Sequence, residues 1–232
     1  IRGVKVTTRR LDVSKEPEVR AWAGEVVRDH GRVNLVFNNA GISYGASIRG
    51  AEDADFRRVI DIDFWGVVYG TRAFLPHLEA SGDGHVINTS SLFGLIGFPG
   101  QCAYNSAKFA VRGFTECLHI ELELTRVPVR ATCVHPGGIK TNIARASKSH
   151  ASLAELGVDP SRATAEFEKS FRLTADEAAE IILRGVRRNS RRVVVGGDAK
   201  LFDWIQRLWP GLYQGLVASL ARRQAAKTLH GG

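Results

Sequence analysis

The chain has 232 residues, a formal net charge of +8, 44% hydrophobic and 24% charged residues. That length and balance suit one globular domain with a single core and exclude a disordered, fibrous or low-complexity chain. No apolar run reaches the roughly 18 residues that a membrane-spanning helix needs, and three cysteines without metal-like spacing give neither a disulfide framework nor a metal site.

Cys102, Cys117 and Cys133 suit a reducing cytoplasm and read as residues of apolar segments rather than nucleophiles. The opening residues, Ile1 to Val4, lack the pattern of a signal peptide. Positive charge is spread over pairs such as Arg57-Arg58, Arg187-Arg188 and Arg222-Arg223. Scattered pairs of this kind describe solvated helix ends and loop edges rather than a nucleic-acid face.

In chain order, Val4–Leu11 reads as a first buried strand, rich in β-branched residues. A helix follows from near Ser14, taken as its N-cap, with Pro17 in the first turn. Val33–Phe37 reads as a second strand, and Ala54–Leu78 as a long helix with a break. His85–Thr89 is a third strand, Gln101–Leu124 a helix, and Val129–His135 a fourth strand. From Ile139 to Leu173 periodicity is lost, so this stretch is expected to be a mobile substrate lid with a short helix near Ala163–Ser170. Ala175–Arg188 is a helix opened by a capping box of Thr174 and Glu177, and Arg192–Val195 is a last strand. Lys200–Ala226 reads as two amphipathic pieces broken at Trp209-Pro210-Gly211. This apolar extension suits a subunit interface or a substrate-pocket wall ahead of a membrane surface.

Strands alternating with helices imply a doubly wound α/β fold, a Rossmann-like parallel sheet forming one domain over the whole chain. Ligands in such sheets sit at the carboxyl ends of the strands. Polar residues fall there: Asp12, Asn38-Asn39, Ser90-Ser91, and the run from His135 to Thr141.

Tyr104 and Lys108 are four residues apart on a helix, hence on one face. A tyrosine normally ionises near pH 10. An ammonium about 4 Å away, at an effective dielectric near 20, offers roughly the 4 kcal/mol needed to bring it toward neutrality. Ala103, Ala107, Ala110, Phe114 and Leu118 form the apolar stripe that seats this helix. Ser91, at a strand end, has a hydroxyl suited to polarise a carbonyl while Tyr104 moves a proton. Taken alone, Ser90-Ser91 reads better as a turn or cap.

Asn38-Asn39-Ala40-Gly41, Ser91, Tyr104-x-x-x-Lys108 and Pro136-Gly137-x-x-x-Thr141 together resemble the ordered signature of the classical short-chain dehydrogenases/reductases, and Leu11-Asp12-Val13 resembles their adenine-contacting motif. The resemblance runs from about residue 4 to about residue 200. It implies reversible hydride transfer between NAD or NADP and an alcohol/carbonyl substrate. It makes Tyr104 the acid/base, Lys108 its tuner and a ribose contact, and Ser91 the carbonyl polariser. Asp12, Val13, Asn38, Ala40 and Gly41 would flank the adenosine side; Pro136, Gly137, Ile139 and Thr141 would hold the nicotinamide end. The family also implies a homodimer or homotetramer, with the Tyr104 helix and its predecessor at an interface.

Two departures stand out. Asp63 of Asp63-Phe64-Trp65-Gly66 occupies the place of the family's asparagine, which serves a proton relay largely through its backbone carbonyl; Asp63 is therefore a relay candidate or a capping aspartate. No Gly-x-x-x-Gly-x-Gly phosphate turn occurs in these residues. If Val4–Leu11 corresponds to the family's third strand, about two strand-helix units, roughly 50–60 residues, precede it, including the residue that selects NAD or NADP. An alternative reading is a non-catalytic interaction protein on the same scaffold that has lost cofactor binding. Phe93, Leu95, Ile96 and Phe98 suggest an apolar substrate.

Overall fold

The structure, a computed structural model, describes residues 3–143, 146–168 and 171–230. It begins with helix α1 (Glu16–His30), strand β1 (Leu35–Asn38) and the short β2 (Tyr44–Gly45). Helix α2 (Asp53–Ile60) runs through a π-helical turn (Asp61–Trp65) into α3 (Gly66–Ser81). Strand β3 (Gly84–Thr89), a 3-10 turn (Leu92–Gly94), helix α4 (Cys102–Thr125) and strand β4 (Val129–Pro136) complete the centre. Next come β5 (Ile139–Lys140), β6 (Lys148–Ser149), a 3-10 segment (Ala151–Leu156), α5 (Ala163–Glu168) and β7 (Leu173–Thr174). The chain closes with α6 (Ala175–Arg187), β8 (Arg192–Val195), α7 (Gly197–Leu208) and α8 (Leu212–His230).

Four strands form one parallel sheet in the order β1-β3-β4-β8. Leu35 stands opposite His85, Gly84 opposite Val129 and Cys133 opposite Arg192. Side chains alternate across a strand, and the sheet uses both faces. Val86 joins a cluster with Val36, Phe74, Leu78 and Leu118, under α1, α3 and α4. Its neighbour Ile87 joins the opposite cluster, with Val134, Ala178, Val186 and Val193, under α6. This double cover explains why the strands read as continuous apolar runs. The doubly wound α/β reading therefore holds, and four of the five expected strands occur close to their expected bounds.

The exception is Val4–Leu11, which has no regular secondary structure and pairs with no strand. A strand is held by its ladder, and this segment has no neighbouring strand among the described residues. It runs beside α1 instead, through Lys5 to the Asp29 carbonyl, Thr7 to His30 and an ion pair of Arg9 with Glu25. Val4 and Val6 are exposed accordingly. Ser14 is not an N-cap: its hydroxyl donates to Asp12 Oδ1 at 2.7 Å, and α1 opens at Lys15 without a side-chain cap.

Part of the stretch expected to be a mobile lid is tied to the body between Lys148 and Leu153. β6 pairs with β2, the Ser47 amide donates to Ser152 Oγ at 3.1 Å, and Leu153 is buried. α5 matches the expected short helix, while Lys169 and Ser170 lie outside the described residues. The Thr174–Glu177 capping box is present, and the tail breaks at the expected Trp-Pro-Gly. Its inward face (Ala199, Phe202, Tyr213 and Val217) packs on Leu92–Phe98, and Tyr213 Oη accepts the Gly97 N–H at 3.3 Å. This inward face is core packing, one side of the apolar content that the sequence shows.

A polar ladder crosses the sheet. Asn38 Nδ2 donates to Thr71 Oγ1 at 3.1 Å and to Asn88 Oδ1 at 2.8 Å, and Asn88 donates to Thr115 Oγ1 at 3.0 Å. Gly70 makes room for it, since a Cβ there would meet Asn38 Oδ1 at 2.1 Å. Gly70→Ala is expected to cost about 1–3 kcal/mol through overpacking, read as a lower midpoint in urea unfolding with little change in slope.

Candidate active site

Lys108 is the least expected buried group in the molecule: a charged side chain 2% exposed on α4. It is seated by Ala103, Ala107, Val111, Thr115 and Leu118 on the same helix face. This is close to the expected stripe, with Val111 in place of Ala110 and Thr115 in place of Phe114. Burying an ammonium without partners is prohibitive, and Lys108 has several. Its Nζ lies 3.1 Å from Asp63 Oδ2 and donates to the Thr89 carbonyl at 3.2 Å. Asp63 is fully buried, and its Oδ1 accepts the Ile42 N–H at 2.8 Å.

The π-helical turn is what delivers Asp63. One added residue widens the turn, and this segment packs on α4. Gly41 lines the other side: a Cβ there would sit 3.1 Å from Asp63 Oδ2 and 3.3 Å from Lys108 Nζ. So Gly41, Asp63 and Lys108, three of the residues singled out in the sequence, meet at one point.

Tyr104 is one helical turn before Lys108, whose Nζ is 5.4 Å from the ring centroid. Ser91 lies close enough to the phenol to lower its pKa, and its Oγ accepts the Phe93 N–H at 3.1 Å, capping the turn Leu92–Gly94. The hydroxyl thus serves as the cap that the sequence offered as one alternative, and stands beside the phenol. The expectation that Lys108 brings the phenol toward neutrality is not met by the protein alone. Burial raises the Tyr104 pKa above its ordinary value, and the Asp63 anion raises it further, against the pull of Lys108 and Ser91. Burial also opposes charge on Lys108, but Asp63 and Tyr104 outweigh it and hold the ammonium above the usual lysine range. The charge of Lys108 is largely spent on Asp63 rather than on the phenol.

Around the opposite side of Gly41 lies a cleft of about 1070 Å³ lined by Asp12, Val13, Ala40 and Gly41, together with Arg10, Arg57, Arg58 and Asp61. The scattered arginine pairs of the sequence suggest solvated edges, and here three arginines border a cleft instead. Asp12 accepts from Ser14 N and Oγ, which hold its carboxyl below the usual range. Asn38 stands apart: its amide is committed to the sheet ladder, so any cofactor contact falls to its backbone.

At the end of β4, a Cβ on Gly137 would meet Asp198 Oδ1 at 2.2 Å, and Asp198 Oδ2 accepts the Gly138 N–H at 2.7 Å. Pro136 ends the strand and Thr141 is exposed beyond it, but the Ile139 side chain turns into the core. Asp198 clasps this loop, and nothing in the sequence pattern points to it. Two other supports are equally silent there. Asn105 donates to the Phe93 and Ile96 carbonyls, both at 2.7 Å, and accepts the Phe98 N–H at 3.2 Å, tying the loop before α4 to Tyr104's own helix. His135 Nδ1 lies 3.2 Å from the Ser91 carbonyl, and burial lowers its pKa to about 3, so its ring is a neutral support. The one available signal for Asn105 is its place beside Tyr104; the others depend on long-range contacts. The thiol of Cys133 is buried and pushed up to about 12, so it is not a nucleophile at neutral pH.

The sequence matches the family described as short chain dehydrogenase over residues 1–152. The chain belongs to the short-chain dehydrogenase family. SadH of Mycobacterium tuberculosis, named as an oxidoreductase, is 51% identical over 218 residues, which are 94% of this chain and 77% of the relative. The mouse dehydrogenase/reductase SDR family member 7B is 31% identical, over 92% of this chain and 64% of that protein. A short-chain dehydrogenase/reductase from Burkholderia phymatum, solved in complex with NAD, superposes with a TM-score of 0.81 at 25% identity. That match covers 91% of this chain and 78% of the solved one. Membership makes the Tyr104–Lys108–Ser91 cluster the part of this dehydrogenase fold to test first.

The buried pair makes a stability prediction. Asp63→Ala strands the Lys108 ammonium and is expected to cost about 3–5 kcal/mol. Asp63→Asn keeps an acceptor for the Ile42 N–H and is expected to cost less, a ranking that urea unfolding monitored by tryptophan fluorescence checks.

Proposed function

We propose that this short-chain dehydrogenase is an NAD(P)-dependent oxidoreductase that interconverts an alcohol and a carbonyl compound, with Tyr104 as acid/base. The observation that carries the reading is a buried ammonium, Lys108, set one helical turn from a phenol that has Ser91 beside it. A structural helix has no use for that arrangement, whereas proton transfer to or from a carbonyl oxygen needs it.

The residues present fit a dinucleotide. Asp12, Val13, Ala40 and Gly41 line one cleft, and side chains larger than hydrogen at Gly41 would press on the Asp63–Lys108 pair. The nicotinamide, when bound, supplies or accepts the hydride and in its oxidised form adds positive charge beside the site. Everything else falls to the protein. Ser91 holds the substrate oxygen. Tyr104, its pKa above the ordinary tyrosine value, is protonated at neutral pH and donates to an oxygen that gains charge. Lys108 stabilises the phenolate left behind, and Asp63 keeps Lys108 charged and in place. The loop Pro136 to Gly138, clasped by Asp198, and Thr141 border the reacting end.

Phe93 stacks on Phe98 with ring centroids 4.9 Å apart, and Leu95 and Ile96 are buried behind them, which favours a hydrophobic substrate. Exposed Trp65, Phe109, Ile120 and Leu124 on the π-helical turn and α4 suit a homodimer or homotetramer built through that face. The three cysteines are free, as a cytoplasmic setting allows.

Titration with NADH and NADPH separately, followed by nucleotide fluorescence, tests the reading. Saturation by one of them sustains it and fixes cofactor choice; no binding at millimolar nucleotide overturns it. Tyr104→Phe is expected to lower kcat about 10²- to 10⁴-fold with KM little changed. The Asp63 anion raises the Tyr104 pKa, so removing it lowers that pKa. In the alcohol-oxidising direction, Asp63→Asn should therefore move the rising limb of the pH–kcat profile to lower pH as long as Lys108 stays charged; a shift to higher pH would show instead that Asp63 acts chiefly by keeping Lys108 charged.

A further inference from the structure

The outer faces of α7 and α8 are apolar where a surface is normally polar. On α7, Leu201, Trp204 and Leu208 fall on one stripe, and Trp204 is 64% exposed. On α8, Leu212, Leu216 and Leu220 fall four residues apart on one stripe, with Leu212 71% exposed. Between the helices Trp209 is exposed too. Single exposed leucines need no explanation, but two consecutive helices each presenting such a stripe mark an interaction surface. The opposite faces of the same helices are committed to the body, through Ala199 and Val217 against the Leu92–Phe98 loop.

Charge decides what the surface fits. Residues 197–230 contain only two acids, Asp198 and Asp203. Both are engaged: Asp198 accepts the Gly138 N–H, and Asp203 holds Arg192 and Arg207. From Trp204 to His230 there is no acidic residue, but there are three arginines and one lysine, with Arg222 and Arg223 exposed on α8. A second copy of this face would set cation against cation. A layer of anionic lipid headgroups over an apolar interior complements both the charge and the leucines, and tryptophan favours that boundary. No described helix is long and apolar enough to cross a membrane, so the geometry is that of helices lying in the headgroup plane.

We infer that α7 and α8 form a docking surface for an anionic membrane, with Leu201, Trp204, Leu212 and Leu216 entering the lipid and Arg222 and Arg223 meeting headgroup phosphates. The surface backs the wall of the proposed active site. Combined with the catalytic role proposed above, on which this last step rests, docking brings a hydrophobic substrate to Ser91 and Tyr104 from the bilayer side.

Flotation with phosphatidylcholine vesicles, with and without phosphatidylglycerol, tests the docking without nucleotide or turnover, so its outcome is independent of the catalytic reading. The protein is expected to float only with the phosphatidylglycerol vesicles, and less so as salt rises. R222Q/R223Q should weaken partitioning about 30-fold, at about 1 kcal/mol per cation near the surface. W204E/L212E, at exposed positions that leave the melting temperature near that of the parent, should abolish it. Absence of flotation overturns the proposal, as does equal flotation with both lipids. A fall in sedimenting mass of W204E/L212E, with no vesicle binding by the parent, would make the face a subunit interface instead.

Discussion

The centre of this molecule is organised by the need to keep one ammonium out of water. Removing a charge from solvent costs several kcal/mol even after relaxation, so everything around Lys108 answers to that requirement. Asp63 must reach it, which requires the π-helical turn. The Thr89 carbonyl must point at it from the end of β3, and residue 41 is a glycine where a Cβ would press on the pair. Even Ser90 contributes, its hydroxyl donating to the Lys108 carbonyl at 2.7 Å. Strand end, helix and turn are locked together by one cation.

That lock separates two properties that a simple pairing of tyrosine and lysine merges. A carboxylate 3.1 Å from Lys108 fixes its position and protonation but shields its charge from Tyr104. The phenol gains a positioned neighbour rather than a strongly acidifying one. The protein by itself keeps the phenol protonated, and in the proposed reaction its deprotonation would draw on positive charge from outside the polypeptide.

Much of this is legible in the sequence. Alternating strands and helices, the stripe from Ala103 to Leu118 and the Thr174–Glu177 box are local patterns, and local patterns carry their own geometry. The convergence of Gly41, Asp63 and Lys108 is legible only as separate candidates. The features that escape are set by pairing and burial. Val4–Leu11 has the composition of a strand, but composition does not provide a partner for the ladder. Ser14 has the character of a cap, but Asp12, two residues earlier, takes its hydroxyl. The stretch after Ile139 lacks periodicity because two-residue strands and a 3-10 segment have too few residues to show any. The clamps by Asn105 and Asp198 depend on loops brought close by the fold.

The π-helical turn carries one consequence of a different kind. Each residue in a helix rotates the next by about 100°, and α2 and α3 are anchored on different partners, α2 on α4 and α3 on α1 and β1. The extra residue between Asp61 and Trp65 is therefore a phase adjustment between two fixed bodies. Loss of any single residue there would throw the two halves out of phase, whatever its chemical character, and turn Asp63 away from Lys108. In this segment the number of residues matters to the Asp63–Lys108 pair as much as the carboxylate itself.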